Sequence, residues 1–593
     1  DPDNSRWKNM LLQFAIDETS EAYLTSTAEE RREAVADIER AFDENVNYPD
    51  YARKLHLIEN CIYGVDIQPI AIQISKLRFF ISLVIDQKRN DNPADNFGIR
   101  PLPNLEAKFV AANSLLGLKK TEATLFDSEE IKQKDSQLKI AKHKIFSARR
   151  PATKEKWRKE VVRLRQEIAD LLLDKDCIGN EQAAQLAQWD MFDQNSFAPF
   201  FDPEWMFGVK EGFDILIANP PYISTKGVST ADKKLFEAEF GFSDDTYNLF
   251  FFKGFSLLCK GGCITYITPK TFWTTQTKRS LRDLLLANTL NYVFDTANPF
   301  EAVMVDTCIT SAVKNKPAAD NLVRFMDGRK NLSQPECLIV AQSVYLNTQN
   351  SVIFKPSALN MRIYELYGEK VKALYDKWWD KIKTSRDIEK NKRELEEYRA
   401  SLKPGDVALL GCLTEGGQGL ATANNGKYIA VRSTTKWADN IRMSRPKKLA
   451  DFLARTPKAI TAEMYRYPSY AAFLQSLSEA EIAGLFDSLK EQYGRDIFGQ
   501  GYLYKIVDDC EIANVDSLTD DEKENGIETT KPYYVPYDKG DKDGNRWYLE
   551  TPFAIAWSKE NVRFLKTNSG KKGEGMPVVR NPQFYFRERL IDT

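Results

Sequence analysis

The chain has 593 residues, 42% hydrophobic, 12% aromatic and 28% charged. This excludes a disordered tail, a collagen-like repeat or a minimal disulfide scaffold, and at roughly 100 to 200 residues per domain it implies several compact units. Lysine plus arginine number 83 against 85 acids, a formal net charge of -2, so any surface for a polyanion must be a local patch.

No apolar stretch approaches the ~20 residues that cross a bilayer, and the opening DPDNSRWKNM has neither the basic start nor the apolar centre of a secretory signal. The eight cysteines are dispersed, and the close pair Cys259 and Cys263 has no second pair or histidine beside it. That pattern argues against a zinc site and for reduced thiols in a cytoplasm. With His56 and His143 as the only histidines, catalysis by histidine-based metal sites or triads has almost no raw material.

In chain order, residues 18–42 have the Glu, Arg and Ala content and spaced apolar positions of an exposed amphipathic helix. Residues 60–66 read as a short buried strand ending in Gly64-Val65-Asp66. Pro69 then opens a helix whose apolar positions are Ile70, Ile74, Leu77, Phe80, Ile81 and Val84. An acid between a strand and a helix either caps the helix or presents its carboxylate to the two hydroxyls of a nucleotide ribose, and Asp66 is open to both readings. A second strand is expected over 107–112, followed by Asn113, which is either a turn residue or a ligand contact at the strand end.

Residues 131–165 carry 13 basic residues against three acids. Their apolar spacing is helical and Pro151 should separate two arms, giving a hairpin that is either simply solvated or touches nucleic acid.

The most specific pattern is EGFDILIANPPY at 211–222, a buried strand 213–218 followed by Asn219, Pro220, Pro221 and Tyr222. Two successive prolines fix the backbone and remove two donors, leaving carbonyl oxygens at the strand end. The Asn219 side-chain carbonyl and the Pro220 backbone carbonyl can together accept both protons of an exocyclic amino group, and Tyr222 offers a face on which a base can stack.

These residues resemble the amino-group DNA methyltransferases, whose fourth motif is Asn or Asp-Pro-Pro-Tyr or Phe, with Asn-Pro-Pro-Tyr similar to the adenine-specific class. The resemblance runs over about 60–315. It implies a Rossmann-like α/β sheet, S-adenosylmethionine as cofactor and double-stranded DNA as partner. It further implies Asp66 on the cofactor ribose, Ile67 against its adenine, Asn113 near that adenine, and Phe300 stacked on the flipped base opposite Tyr222. Downstream, DTYNLFFFKGFSLLCKGGCITYITP resembles the family's helix and following strand, with Gly261-Gly262 as the turn between them, then a helix over 276–287 and a strand over 291–295. The family's glycine-rich first motif is expected upstream of Asp66, yet Gly64 is the only glycine in residues 1–65. The chain is therefore expected to begin after that motif and by itself to bind the cofactor poorly or not at all.

The expected organisation is a methyltransferase domain over 1–328 with a basic helical insertion at about 129–190, a helical connector over 329–403, and a mixed α/β target-recognition domain over 404–593, itself expected to be incomplete. The C-terminal half resembles target-recognition domains of the type IIG restriction and BREX phage-defence adenine methyltransferases, and looks closer to the BREX enzyme. Its aromatics interleaved with basic residues, among them Trp547, Tyr548, Trp557, Arg563 and Lys566, suit base and backbone contacts or the cover of a core. A bifunctional type IIG enzyme that also cuts DNA, and a defence subunit that binds DNA without catalysis, are the alternatives.

Overall fold

The computed structural model describes the chain apart from residues 1–3, 18–27, 101–104, 106–107, 119–128, 148–150, 175–178, 191, 194, 301–304, 384–386, 415–418, 539–550, 572, 574–575 and 588–593. It divides into two compact units, 1–409 and 410–593.

Unit 1 opens on three helices, α1 (Ser5–Ile16), α2 (Ala28–Ala41) and α3 (Asp50–His56). The part of the expected 18–42 helix that precedes Ala28 lies outside the described residues. Strand β1 (Gly64–Asp66), helix α4 (Pro69–Val84) and strand β2 (Phe109–Ala111) form a parallel crossover, with Asp66 paired to Ala111. Gly64 is required here by close approach, since a Cβ at that position would sit 2.4 Å from the Phe109 ring. Helix α4 buries Ile72 and Leu83 toward β2, and its Phe79 ring packs on Phe109 at 5.0 Å. Ile70, Ile74, Leu77 and Ile81, which recur at helical spacing, form an exposed apolar stripe on the same helix.

The basic insertion is helical: α5 (Glu129–Ser147) and α6 (Pro151–Asp174), with Pro151 in the first turn of the second arm, then α7 (Asn180–Gln188). Ile131, Leu138 and Ile145 of one arm and Val161, Leu164, Ile168 and Leu172 of the other share a core with Trp189, Phe200 and the β2 end at Val110 and Ala112. The excess charge is not all free. Lys134 pairs with Glu167 at 2.6 Å, and Arg163 pairs with Glu160 and Glu167 at 2.5 Å each. Arg165 is 2% exposed, donates to the Leu186 carbonyl at 3.0 Å and lies 5.0 Å from the Trp189 ring centre. Burial pushes its guanidinium down to about 10.

After the short helix α8 (Pro203–Phe207) comes β3 (Phe213–Ala218), the strand expected at 213–218. It leads to α9 (Thr230–Phe240), α10 (Thr246–Leu257), β4 (Leu258–Pro269), α11 (Arg279–Ala287), β5 (Thr289–Ala297), β6 (Thr307–Val313), β7 (Leu322–Asp327) and β8 (Glu336–Ala341). Strands β3 to β8 form one sheet in the order β3-β4-β6-β5-β7-β8. From the pairings, β3, β4, β5 and β7 run in one direction and β6 and β8 in the other. The architecture is thus α/β with a Rossmann-like mixed sheet, in which β3–β4 and β5–β7 pair in parallel and β4–β6, β5–β6 and β7–β8 antiparallel. Phe251 and Phe255 of α10 and Leu281 and Leu285 of α11 pack against Ile264, Val293, Ala312 and Phe325 in its core.

Two readings need correction. The turn at Gly261-Gly262 lies not between helix and strand but within β4, which follows α10 directly: the pairing with β3 is irregular between Leu258 and Cys263, Gly261 has φ +84°, and a Cβ on Gly262 would meet the Phe213 carbonyl at 2.7 Å. Nor does the sheet stop at 328. β8 pairs with β7 in full register, and the helices assigned to the connector begin only with α13 (Ala358–Lys383) and α14 (Ile388–Ser401), after the short α12 (Gln342–Leu346).

Among the described residues, β3 is an edge strand and β1 pairs only with β2. Leu216 and Ala218 of β3 pack on the sheet's core, whereas Ile215 and Ile217 on its other face are 65% and 79% exposed. The two sheets approach at the strand starts, where the Tyr63 and Phe213 rings lie 5.9 Å apart. Beyond the strand ends, Leu115 and Leu116 pack with Phe236 and Leu249 of α9 and α10.

Unit 2 is a four-stranded mixed sheet, β10-β9-β12-β11, set among helices. Its elements are α15 (Leu410–Leu413), α16 (Asn425–Tyr428), β9 (Ile429–Arg432), α17 (Lys436–Arg455), α18 (Tyr470–Gln475), α19 (Glu479–Tyr493), β10 (Lys505–Val507), α20 (Asp520–Asn525), β11 (Tyr534–Pro536), β12 (Phe553–Ala556) and α21 (Lys559–Thr567). Ser478 and Glu481 form a capping box at the start of α19. Trp547 and Tyr548 lie outside the described residues. Trp557 is 5% exposed and donates to the Lys523 carbonyl at 3.1 Å, so it is part of the core and not a stacking surface. Arg563 and Lys566 are exposed on α21. Among the described residues no helix is long and apolar enough to cross a membrane.

Candidate functional site

The residues at the carboxyl end of β3 are organised from outside their own segment. Asn219 is exposed, Pro220 buried, Pro221 exposed and Tyr222 half-buried against the sheet's core. The Thr246 hydroxyl, in the first turn of α10, donates to the Pro221 carbonyl at 2.5 Å and accepts the Ile223 N–H at 3.2 Å, while the Thr246 N–H donates to the Ile223 carbonyl at 3.0 Å. Pro221 therefore has its oxygen occupied. Among the described residues no donor is seen on the oxygen of the buried Pro220.

The Tyr222 hydroxyl donates to Asn219 Oδ1 at 2.9 Å and lies 3.3 Å from the Ile267 carbonyl of β4. Burial, with the Cys308 side chain nearby, raises the phenol above its ordinary range, which keeps it a donor.

A second layer holds the loop that follows. Asp245 Oδ1 accepts the Thr225 N–H at 2.8 Å and the Thr225 hydroxyl at 2.9 Å. Its other oxygen pairs with Lys278 at 2.7 Å, and Lys278 also contacts Asp244. Although burial pulls the Asp245 carboxyl upward, Lys278 and the two Thr225 donors hold it below its ordinary value. None of Asp245, Thr246 and Lys278 was singled out from the sequence. The DTYN tetrapeptide beside an apolar helix is the one local signal, and Lys278 has none.

Asp66, Ile67 and Asn113 are brought together at the carboxyl ends of the paired strands β1 and β2. One Asp66 oxygen accepts the Gln68 N–H at 2.8 Å, which braces the turn into α4 rather than capping the helix, whose N-cap position is Gln68, and the Asp66 side chain remains exposed. Ile67 is an exposed apolar surface next to it, and Asn113 Oδ1 accepts the Leu115 N–H at 3.2 Å. These are the three residues that the sequence assigns to the adenosine half of S-adenosylmethionine, and they lie at neighbouring strand ends. For the methionine half, residues 1–65 hold no glycine-rich loop.

Phe300 lies half-buried on the connection between β5 and β6, its N–H donating to Asn298 Oδ1 at 3.2 Å. It makes no ring contact with Tyr222, and the following residues 301–304 are outside those described.

The same edge of the sheet is stitched by charge. Asp295, at the end of β5, lies 3.3 Å from Lys270 and 3.7 Å from Arg329, and Lys270 also pairs with Asp306 at 2.8 Å. Asp327, at the end of β7, pairs with Arg329 and Lys355 at 2.6 Å each. The Arg329 and Lys355 donors hold its carboxyl far below the usual range. Among the described residues no cluster of His, Cys, Asp and Glu is arranged to hold a metal ion.

Several known proteins resemble this chain. A curated relative described as a type II restriction enzyme and methyltransferase, from Methanocaldococcus jannaschii, is 24% identical over 372 residues, which is 49% of this chain and 31% of that protein. The chain thus spans about a third of the length of that relative. Among solved structures, the type IIG restriction endonuclease BpuSI is 14% identical, covering 78% of this chain and 54% of its own at a TM-score of 0.21. The EcoKI M protein, a type I restriction enzyme component, is 15% identical, covering 54% of this chain and 58% of its own, also at 0.21. Likenesses at these scores carry no weight for function. The stretch that holds β1, β2, β3 and the Asn219 to Tyr222 tip, residues 60–300, matches the Eco57I restriction-modification methylase family.

Proposed function

We propose that this chain carries the methyl-transfer and target-reading parts of a site-specific DNA methyltransferase that modifies the adenine amino group in duplex DNA. Restriction-modification is the setting the family match supports, and a BREX-type phage-defence setting is the finer alternative suggested by the C-terminal half.

One observation carries the reading. At the tip of β3 the Pro221 oxygen accepts from Thr246 and Asn219 Oδ1 from the Tyr222 hydroxyl, so the acceptors for an NH2 group are the Pro220 oxygen and, once the Tyr222 hydroxyl yields its place, Asn219 Oδ1. An adenine extruded from the duplex, at a cost of a few kcal/mol, presents such a group. Asn219 and Pro220 accept its two protons, which fixes its direction and leaves the nitrogen lone pair toward the incoming carbon. Tyr222 stacks on one face of the base and Phe300 on the other.

When bound, S-adenosylmethionine supplies a methyl group on a positively charged sulfonium. On this reading Asp66 holds the ribose hydroxyls, Ile67 packs on the cofactor's adenine and Asn113 approaches that ring. Unit 2 is the target-recognition part, with Arg563 and Lys566 of α21 suited to backbone phosphates.

The test is to map methylated bases in a host carrying the full-length gene and in a host carrying its Asn219→Ala variant. Methyladenine at one recurring sequence in the first and none in the second is expected. Methylation of cytosine, or none in either host, overturns the proposal.

A further inference from the structure

Lys278 is a buried cation with a task in the fold that catalysis as described does not use. Its side chain is 8% exposed and its ammonium is shared by two carboxylates, those of Asp244 and Asp245. Burying a charge requires pairing and hydrogen bonds that replace water, and one ammonium between two acids calls for further donors. Those donors are present. Asp244 Oδ2 accepts the Asn248 amide at 2.7 Å and its Oδ1 accepts the Asp245 N–H at 2.8 Å. Asp245 Oδ1 accepts both Thr225 donors.

The chain of contacts ends on the catalytic loop. Thr225 is gripped by Asp245, and Pro221 and Ile223 by Thr246. The backbone on both sides of Tyr222 is thereby anchored to the start of α10, while the Tyr222 ring itself is not touched by the clamp. Which of the two proline oxygens stays free depends on Thr246 holding the other, and Thr246 sits next to the acid that Lys278 secures.

We propose that Lys278 is a positioning residue for methyl transfer, acting through Asp245 and Thr246 to keep the Asn219 and Pro220 acceptors set for the target amino group. The inference rests on the methyltransferase reading above. Misplacement of such acceptors by about 1 Å costs on the order of 100-fold in rate.

The experiment compares the full-length protein with its Lys278→Met, Lys278→Arg and Thr225→Val variants. Three quantities are read: kcat for methyl transfer, the fluorescence of 2-aminopurine at the target position, and binding of S-adenosylmethionine. Lys278→Met should lower kcat roughly 10- to 100-fold and reduce the 2-aminopurine signal, with cofactor binding and KM for DNA unchanged. Lys278→Arg should restore most of the signal, because a guanidinium can bridge both carboxylates. Thr225→Val, a change in a surface loop, should give a smaller loss of the same kind. Wild-type values for Lys278→Met, or parallel loss of cofactor binding and base capture in both Lys278→Met and Thr225→Val, overturn the assignment. An inactive wild-type protein would sink the methyltransferase reading and this one with it, whereas an active wild type with indifferent variants sinks this one alone.

Discussion

The Tyr222 hydroxyl donates to Asn219 Oδ1 at 2.9 Å, so the ring expected to stack on a base also occupies the acceptor expected to receive that base's amino proton. Entry of a base must exchange one donor for another. The Asn219 oxygen is kept satisfied before the base arrives, and its desolvation costs little when the exchange takes place. Tyr222→Phe removes the resident donor but keeps the stacking face. We expect it to retain turnover and to capture a flipped base at least as well as the parent, read by 2-aminopurine fluorescence. Tyr222→Ala should lose the stacking contribution of about 1–3 kcal/mol, weakening capture by roughly 5- to 150-fold.

Asn219→Ala should abolish methyl transfer while leaving DNA affinity nearly intact, since the side chain is one of two acceptors for the amino group and makes no phosphate contact in this reading. Gel-shift affinity and incorporation of labelled methyl groups, measured on one preparation, separate the two. Substantial remaining transfer would contradict the role.

Asp66→Ala should weaken S-adenosylmethionine binding by about 1.5–3 kcal/mol, the range for hydrogen bonds to a charged group. Isothermal titration of the full-length protein reads this directly. Because the Asp66 carboxylate also accepts the Gln68 N–H, some loss of order in the turn that leads into α4 should accompany it. Asp66→Asn keeps an acceptor for that bond and should isolate the ribose contribution.

Truncation of Phe300 to Ala should weaken capture of the flipped base more than cofactor binding. The opposite pattern would remove it from the base pocket.

The Asp327 carboxyl is held far below its ordinary range by Arg329 and Lys355, so folding favours its charged form. The corresponding stability is fully present above the ordinary carboxylate value and is lost as pH falls from there toward the depressed folded value. Thermal unfolding followed from about pH 7 to about pH 3 should show a steeper acid decline for the parent than for Asp327→Asn. Equal slopes would show that the ion pairs at the end of β7 contribute no pH-linked stability.

Much of the site's own strand was legible in the sequence because its signals are local. Phe213–Ala218 is apolar and ends on two prolines, α4 begins at a proline and repeats its apolar residues at helical spacing, and Pro151 marks the start of α6. The Gly261-Gly262 pair does mark a local turn, with Gly261 at φ +84°, but it falls within β4 at a register irregularity instead of ahead of the strand, and only close approach to the Phe213 carbonyl explains Gly262. β8 was missed because one strand following a loop does not repeat the alternation of strand and helix. Trp557 misled because an aromatic beside basic residues describes a buried strand end as well as a nucleic-acid surface. The grip of Thr246 and Asp245 on the loop after β3, with Lys278 behind Asp245, joins residues distant in sequence, and no spacing rule reaches them.

Among the described residues, the strand that delivers Asn219 is laced to a neighbour along one flank only and shows two bare isoleucines on one face, beyond the register irregularity between Phe213 and Ile215 and without a lysine or proline in the strand to blunt that border. Concentrated solutions of this chain should therefore associate through that border, and a charged replacement at Ile217 should keep them monomeric. The tip it carries should also exchange its amide hydrogens faster than β4 does, since α10 secures the backbone only from Pro221 onward and leaves the asparagine to its bond with Tyr222.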